Sequence, residues 1–149
     1  MTKVRKATIE DCDTMMQLIH ELAHFEKAPE QVTVSIEEFK EAGFGKQSVW
    51  EAFVAEQNGQ VIGMSLYYIR YSTWKGKRLY LEDLIVNEPF RGTGVGRLLL
   101  DKTIAHAKEM KYSGMMWQVL DWNDAAINFY EKYDAEFDSG WLNVNLNFK

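Results

Sequence analysis

The spacing of apolar and polar positions changes repeatedly along this chain, and each change marks an element. Residues 3–7 predict a short strand, and Thr8-Ile9-Glu10-Asp11 then reads as a capping box with Asp11 where a longer Glu is commoner. The helix it opens should run to about Lys27, with Met15, Leu18, Ile19, Leu22 and Phe25 on one side. Pro29 and Gln31-Val32-Thr33 break it. Ser35-Ile36-Glu37-Glu38 is a full S-x-x-E box that begins a second, short helix closed by Gly43 and Gly45. From Trp50 the pattern is that of strands: Ala52 to Glu56, the tight turn Asn58-Gly59, then Val61 to Ile69. Leu79 to Val86 supplies a third strand, so the middle of the chain predicts an antiparallel meander. That strand is too apolar for a surface segment, yet it carries Glu82 and Asp83, which simple alternation sends to opposite faces of the sheet.

Three glycines separate this strand from a helix pattern over Leu98 to Met110, in which Leu99, Leu100, Thr103, Ile104, Ala107 and Met110 share one arc. Gly96 lies on the same side and could bring helix and sheet close together. Met115 to Leu120 predicts the next strand, and the intervening helix makes it the parallel partner of Leu79 to Val86 in a βαβ unit. Asn123 is a good N-cap for a helix from Asp124 to about Tyr133. In the segment Trp141 to Phe148, Leu142, Val144, Leu146 and Phe148 alternate with Asn143, Asn145 and Asn147, which predicts a last strand with one buried face. No repeat, low-complexity run or linker interrupts the 149 residues, so one domain over 1–149 is expected.

Composition narrows the function classes. The chain is 46% apolar and 26% charged, with no run approaching a membrane span. Met1 to Lys6 leads into no apolar signal core, and Cys12, the sole cysteine, cannot form an internal disulfide; a cytoplasmic protein is expected. With 17 bases against 22 acids the formal net charge is −5, which argues against non-specific nucleic-acid binding and favours a cationic substrate. Cys12, Met15 and Met16 read as core filler.

The candidate chemistry centres on Leu79 to Val86 and the turn behind it. Glycines at a strand-to-helix junction let backbone N–H groups wrap an anion at the positive end of a helix. A dinucleotide fingerprint is the competitor for Gly92-x-Gly94, but Arg97 stands at the third glycine position and no acid follows about twenty residues on. A P-loop would need Gly-Lys-Ser/Thr, which is absent. A buried acid such as Glu82 is either paired or used for chemistry. Tyr130, in the stripe Ala126, Phe129, Tyr130 and Tyr133, reads by itself as packing. His20, His24 and His106 have neither metal-ligand spacing nor a nucleophile partner. Trp74, Trp122 and Trp141 could wall a pocket for an alkyl amine or serve as core residues.

Taken together, Tyr80-Leu81-Glu82-Asp83, Arg91-Gly92-x-Gly94-x-Gly96, Asp121-Trp122-Asn123 and Phe129-Tyr130 resemble the GNAT superfamily of N-acetyltransferases over essentially the whole chain. Gly43-Phe44-Gly45 and Gly140-Trp141 add support. The similarity is closest to the spermidine/spermine and thialysine branch. It implies an α/β (α+β) GNAT fold: a mixed, mostly antiparallel central sheet of about six to seven strands with about four helices. It implies acetyl-CoA as cofactor, with Leu84, Ile85 and Val86 offering backbone groups to the pantetheine arm. Arg91, Gly92, Thr93, Gly94, Val95, Gly96 and Arg97 would hold the pyrophosphate, and Asn123, Asp124, Ala125 and Ala126 would line the cofactor. Tyr130 would sit at its sulfur as the acid, and Glu82 would be the base, taking the amine's proton directly or through a water. Phe25, Glu26, Ser72, Thr73, Asp83 and Trp141 would meet the amine substrate. In the polyamine enzymes the positions of Ser72 and Ser139 carry Asp and Glu, so hydroxyls at Ser72 and Thr73 instead suit an α-carboxylate and a lysine-like substrate, with polyamines second. The branch is typically homodimeric, its last strand helping to build the partner's site. This chain departs from it in a shorter segment before Gly140 and in Asp134, where a helix-ending glycine is usual. A non-catalytic acyl-CoA sensor or a peptide N-acetyltransferase would share most of these residues.

Overall fold

The computed structural model describes residues 1–149, which divide into two compact units, Met1–Trp117 and Gln118–Lys149. The first unit holds a five-stranded sheet: β1 (Thr2–Lys6), β2 (Glu51–Gln57), β3 (Gln60–Ser72), β4 (Gly76–Val86) and β5 (Met115–Trp117), in that spatial order. The first four run antiparallel, β2 to β4 as the expected meander, with Asn58 and Gly59 at φ 53° and 75° in the tight turn, as Asn-Gly predicts. β5 runs parallel to β4 and is reached through helix α3 (Val95–Glu109), the expected βαβ crossover.

Helices α1 (Cys12–Phe25) and α2 (Ile36–Phe44) pack on one face of the sheet. Their core joins Cys12, Met15, Leu18 and Phe39 to Ala52, Val54, Met64, Leu66 and Ile85. Asp11 anchors the start of α1: its carboxylate accepts from the Thr8 backbone N–H at 2.7 Å and from Arg5 Nη1 at 2.8 Å. The Arg5 guanidinium holds the Asp11 carboxyl below its ordinary range. At α2, Ser35 Oγ accepts from Glu38 N–H as its capping box requires. Gly43 lies inside α2 instead of ending it, and a Cβ there would collide with the Trp50 ring.

α3 packs with Leu99, Leu100, Thr103 and Ala107 buried, and Thr103 Oγ1 lies 2.8 Å from Ser65 Oγ of β3. The close approach of helix and sheet sits at Gly63, where a Cβ would stand 3.0 Å from both Ile85 O and Leu99 Cδ1. At Gly96 a Cβ would meet Val86 at an ordinary 3.7 Å, so that glycine is not required by packing.

The second unit carries α4 (Asp124–Glu131), capped as expected by Asn123, whose Oδ1 accepts from Ala126 N–H at 3.2 Å. Asp134 takes φ 57°, so the left-handed residue after the helix is kept without glycine. The strand expected over Trp141 to Phe148 does not form: no strand follows Trp117, and Leu142, Val144, Leu146 and Phe148 are exposed. Alternation specifies which residues want a covered face, but a strand exists only where another offers a hydrogen-bonding edge. The sheet therefore has five strands where six to seven were expected. No helix is long and apolar enough to cross a membrane.

Candidate active site

The two acids of β4 do not face apart. The β3–β4 register pairs Leu66 with Asp83 but Tyr67 with Leu81, so Glu82 is an extra residue, a β-bulge. Asp83 shares the face of its partner Leu66, which belongs to the α1 side core. Tyr68 lies on that same face by alternation, and its hydroxyl donates to Glu82 Oε1 at 2.7 Å. The bulge thus collects both carboxylates on one side. A two-residue period cannot reveal this, because the extra residue belongs to the pairing and not to the composition.

The electrostatics follow from that crowding. Burial first, then the like charges of Glu82 and Glu26, push the Asp83 carboxyl up to about 7. Desolvation also raises Glu26, at the C-terminal end of α1. Tyr68 is raised by burial and by its bond to Glu82, so it stays a proton donor at neutral pH. Tyr80, stacked on Tyr68 with ring centroids 5.4 Å apart, is raised by burial and by Glu82. The cluster holds a proton at pH values where separate carboxyls would have lost theirs. Because the folded Asp83 binds its proton more tightly than the unfolded chain does, this residue costs stability as pH rises from about 4 to 7. Asp83→Asn is expected to remove that slope, at most about 1.4 kcal/mol per pH unit. Melting temperatures across the range, falling less steeply for the variant than for the wild type, would show it; parallel curves would not.

Immediately after β4 comes the glycine turn. Gly92 and Gly94 take φ 78° and 91°, and nothing stands within 4 Å of where a Cβ would be at either. Gly94 caps α3, whose first-turn N–H groups have no partner within the helix. Open space beside two glycines, together with the unpartnered N–H groups at the start of a 15-residue helix, leaves room for an anion such as a phosphate group. Arg97 lies 3.9 Å from Asp101, and Thr93 Oγ1 donates to Phe90 O. Arg91 is drawn back to the sheet and α1: its Nε donates to Val86 O at 3.0 Å, its Nη2 pairs with Glu21 at 3.2 Å, and its head lies over the Phe25 ring. Phe25 and Arg91, expected to serve substrate and cofactor respectively, therefore touch each other. β5 pairs with β4 only over Leu79 to Leu81. From Glu82 to Val86 no strand lies along that side of β4, so the stretch containing Leu84, Ile85 and Val86 has an edge available to an extended ligand.

Ser72 Oγ accepts from the N–H groups of Trp74 and Lys75, forming the turn between β3 and β4 that contains Thr73. Trp74 is 90% exposed, and Trp141, 79% exposed, donates its indole N–H to Asp138. A cavity of about 440 Å³ opens between Trp50, Tyr67, Tyr68, Leu79 and Tyr112, and neither Glu82 nor the glycine turn lines it. In the second unit Asn123, Asp124, Ala125 and Ala126 form the cap and first turn of α4. Tyr130 lies on the same helix, buried beside Phe129, and burial raises its hydroxyl pKa. Sequence reasoning did not single out Tyr68 or Arg70, which lie two residues apart on the same face of β3.

Residues 14–134 match the acetyltransferase (GNAT) family. The chain is 38% identical over 156 aligned residues to thialysine N-epsilon-acetyltransferase of Mus musculus, covering 97% of this chain and 92% of that protein. It is 31% identical to spermidine/spermine N(1)-acetyltransferase-like protein 1 of Homo sapiens, covering 97% of this chain and 22% of that one. Among solved structures, an aminoglycoside acetyltransferase from an uncultured soil metagenomic sample, in complex with sisomicin, superposes with a TM-score of 0.80 at 17% identity. That superposition covers 99% of this chain and 97% of the other, and shows the shared fold. By its sequence match and its fold the chain belongs to the GNAT family, and it is an N-acetyltransferase.

Proposed function

We propose that this enzyme transfers an acetyl group from acetyl-CoA to the side-chain amine of a lysine-like amino acid, with polyamines as weaker substrates. The observation that carries the reading is the carboxylate pair on one face of the β4 bulge, followed in sequence by an open glycine turn at a helix start. An alkyl ammonium of pKa near 10.4 is a free amine in only about one part in a thousand at pH 7, a deficit of roughly 4–5 kcal/mol. Glu82 takes the amine's proton directly or through a water, with Tyr68 fixing its other interactions and Asp83 and Glu26 drawing the cation in.

Acetyl-CoA, when bound, supplies the acetyl group already activated as a thioester. Backbone groups of Leu84, Ile85 and Val86 and the Arg91 to Arg97 turn hold it, with Asn123, Asp124, Ala125 and Ala126 lining it and Tyr130 as proton donor. Phe25, Ser72, Thr73 and Trp141 shape the amine site. A lysine-like substrate is preferred because the thialysine enzyme is matched at 38% over nearly its full length. Its name carries an amino acid, whereas the spermidine/spermine relative is matched at 31% over a fraction of its own.

In this reading residues 1–149 act as one cytoplasmic domain. The exposed alternation Leu142, Val144, Leu146 and Phe148 supports a homodimer in which this segment finds its edge on a second copy.

Incubation with acetyl-CoA and, separately, thialysine, lysine, spermidine and short peptides, followed by CoA release, tests the proposal. Turnover is expected first on the amino acids. Binding of acetyl-CoA without turnover of any amine would make the protein a sensor, and turnover of peptides alone would move it to another class.

A further inference from the structure

We propose that Arg70 sets the enzyme's specificity by binding the α-carboxylate of the amino-acid substrate. The inference rests on the amine acetyltransferase reading above and goes further by assigning the group that recognises the far end of the substrate.

Arg70 follows Tyr68 by two residues on β3, so it projects from the same face as Tyr68 and the acids of the bulge. Its guanidinium carbon lies 5.9 Å from the centre of the Tyr80 ring, and Nη1 donates to Met116 Sδ at 2.9 Å. A ring face and a thioether hold the head in place but use little of its hydrogen-bonding capacity, since sulfur is a weak acceptor and a guanidinium has five N–H donors. Other arginines of this unit are committed. Arg5 pairs with Asp11 and Glu56, Arg91 with Glu21, and Arg78 donates to Met115 O. No carboxylate stands within ion-pair distance of Arg70, which is exposed.

The placement of opposite charges fits one kind of molecule. Glu82 is fixed on the Tyr68 hydroxyl and Arg70 on the Tyr80 ring, so a carboxylate and a guanidinium flank the stacked tyrosine pair. The Arg70 head leans from its own level back to the Tyr80 ring and Met116, the level at which Tyr68 pairs, so both charged groups lie around the same two rings. An extended lysine spans about 7–8 Å from terminal nitrogen to carboxyl carbon. Charge-assisted hydrogen bonds of about 2.8 Å at each end let such a molecule lie along the tyrosine pair with its amine at the acids and its carboxylate at the guanidinium. A polyamine of similar length would place a second cation against the guanidinium, which repels it. The hydroxyl of Ser72, whose oxygen accepts from two N–H groups in the turn, has one O–H left to donate and no charge, whereas the guanidinium offers several donors and a positive charge.

The test pairs amines that differ only in the carboxylate: lysine with cadaverine, and thialysine with its decarboxylated counterpart. For the wild type the amino acid of each pair should have the higher kcat/KM. Arg70→Gln should lower kcat/KM for the amino acids by about 10- to 100-fold, mainly through KM, and leave the decarboxylated amines within about threefold. Arg70→Lys should restore part of the loss. If Arg70→Gln changes both members of a pair equally, or neither, Arg70 does not read the carboxylate, while turnover of cadaverine would keep the acetyltransferase reading intact. If the wild type releases no CoA with any amine, that reading fails and this one with it.

Discussion

Glu82→Gln is expected to lower kcat/KM for the amine by about 10²- to 10⁴-fold, the range lost when a positioned proton acceptor is removed. Glutamine keeps the size of the side chain and can still accept from the Tyr68 hydroxyl, so the bulge and the Tyr68–Tyr80 stack should survive. Acetyl-CoA affinity should be retained, because the glycine turn is untouched. The neighbouring acid gives the experiment its discrimination. Asp83 is held up to about 7 partly by the charge of Glu82, so in Glu82→Gln its carboxyl should move down toward the ordinary range. The pH profile should report the pair, not either residue alone. With Glu82 as the base, Asp83→Asn changes the acid limb of kcat/KM and retains activity within about tenfold, far less than the loss in Glu82→Gln. The reverse ranking would make Asp83 the acceptor. Two variants each within threefold of the wild type at every pH would remove the carboxylates from the chemistry.

The same bulge shows what the sequence could and could not disclose. Local signals carried the Asn58-Gly59 turn and the Ser35 and Asn123 caps, because each depends on residues close together in the chain, and the helix between β4 and β5 made their parallel pairing the expected crossover. The glycine turn was legible for the same reason: positive φ at Gly92 and Gly94 is a local demand that glycine meets. Pairing-dependent features were hidden. Whether Glu82 and Asp83 share a face depends on a one-residue slip against β3, and alternation alone assigned them apart. The Trp141 to Phe148 segment shows the converse, since its alternation is clear and no edge receives it within the chain. Arg70 was overlooked because an isolated arginine in a strand says nothing until its neighbours are known to be a ring and a thioether.

Tyr130→Phe is the second large effect, a fall in kcat of about 10²-fold with the amine KM little changed. The lower end of the range for an acid is expected because a thiol of pKa near 8.5 needs less help to depart than an alcohol. Burial raises the Tyr130 hydroxyl above its ordinary value of 10, so the proton remains on Oη across the range in which the amine is handled, as a donor requires. Phenylalanine keeps the ring and its contact with Phe129, so the melting temperature should change by only a few degrees. Activity and stability are thereby separable. The loss should be in kcat, and it should persist when acetyl-CoA is saturating, because a residue that only lined the cofactor would be rescued there. A variant with full kcat from pH 6 to 9 would show that the departing sulfur takes its proton from elsewhere. Tyr130 would then revert to what its helical stripe first suggested, an aromatic packing residue.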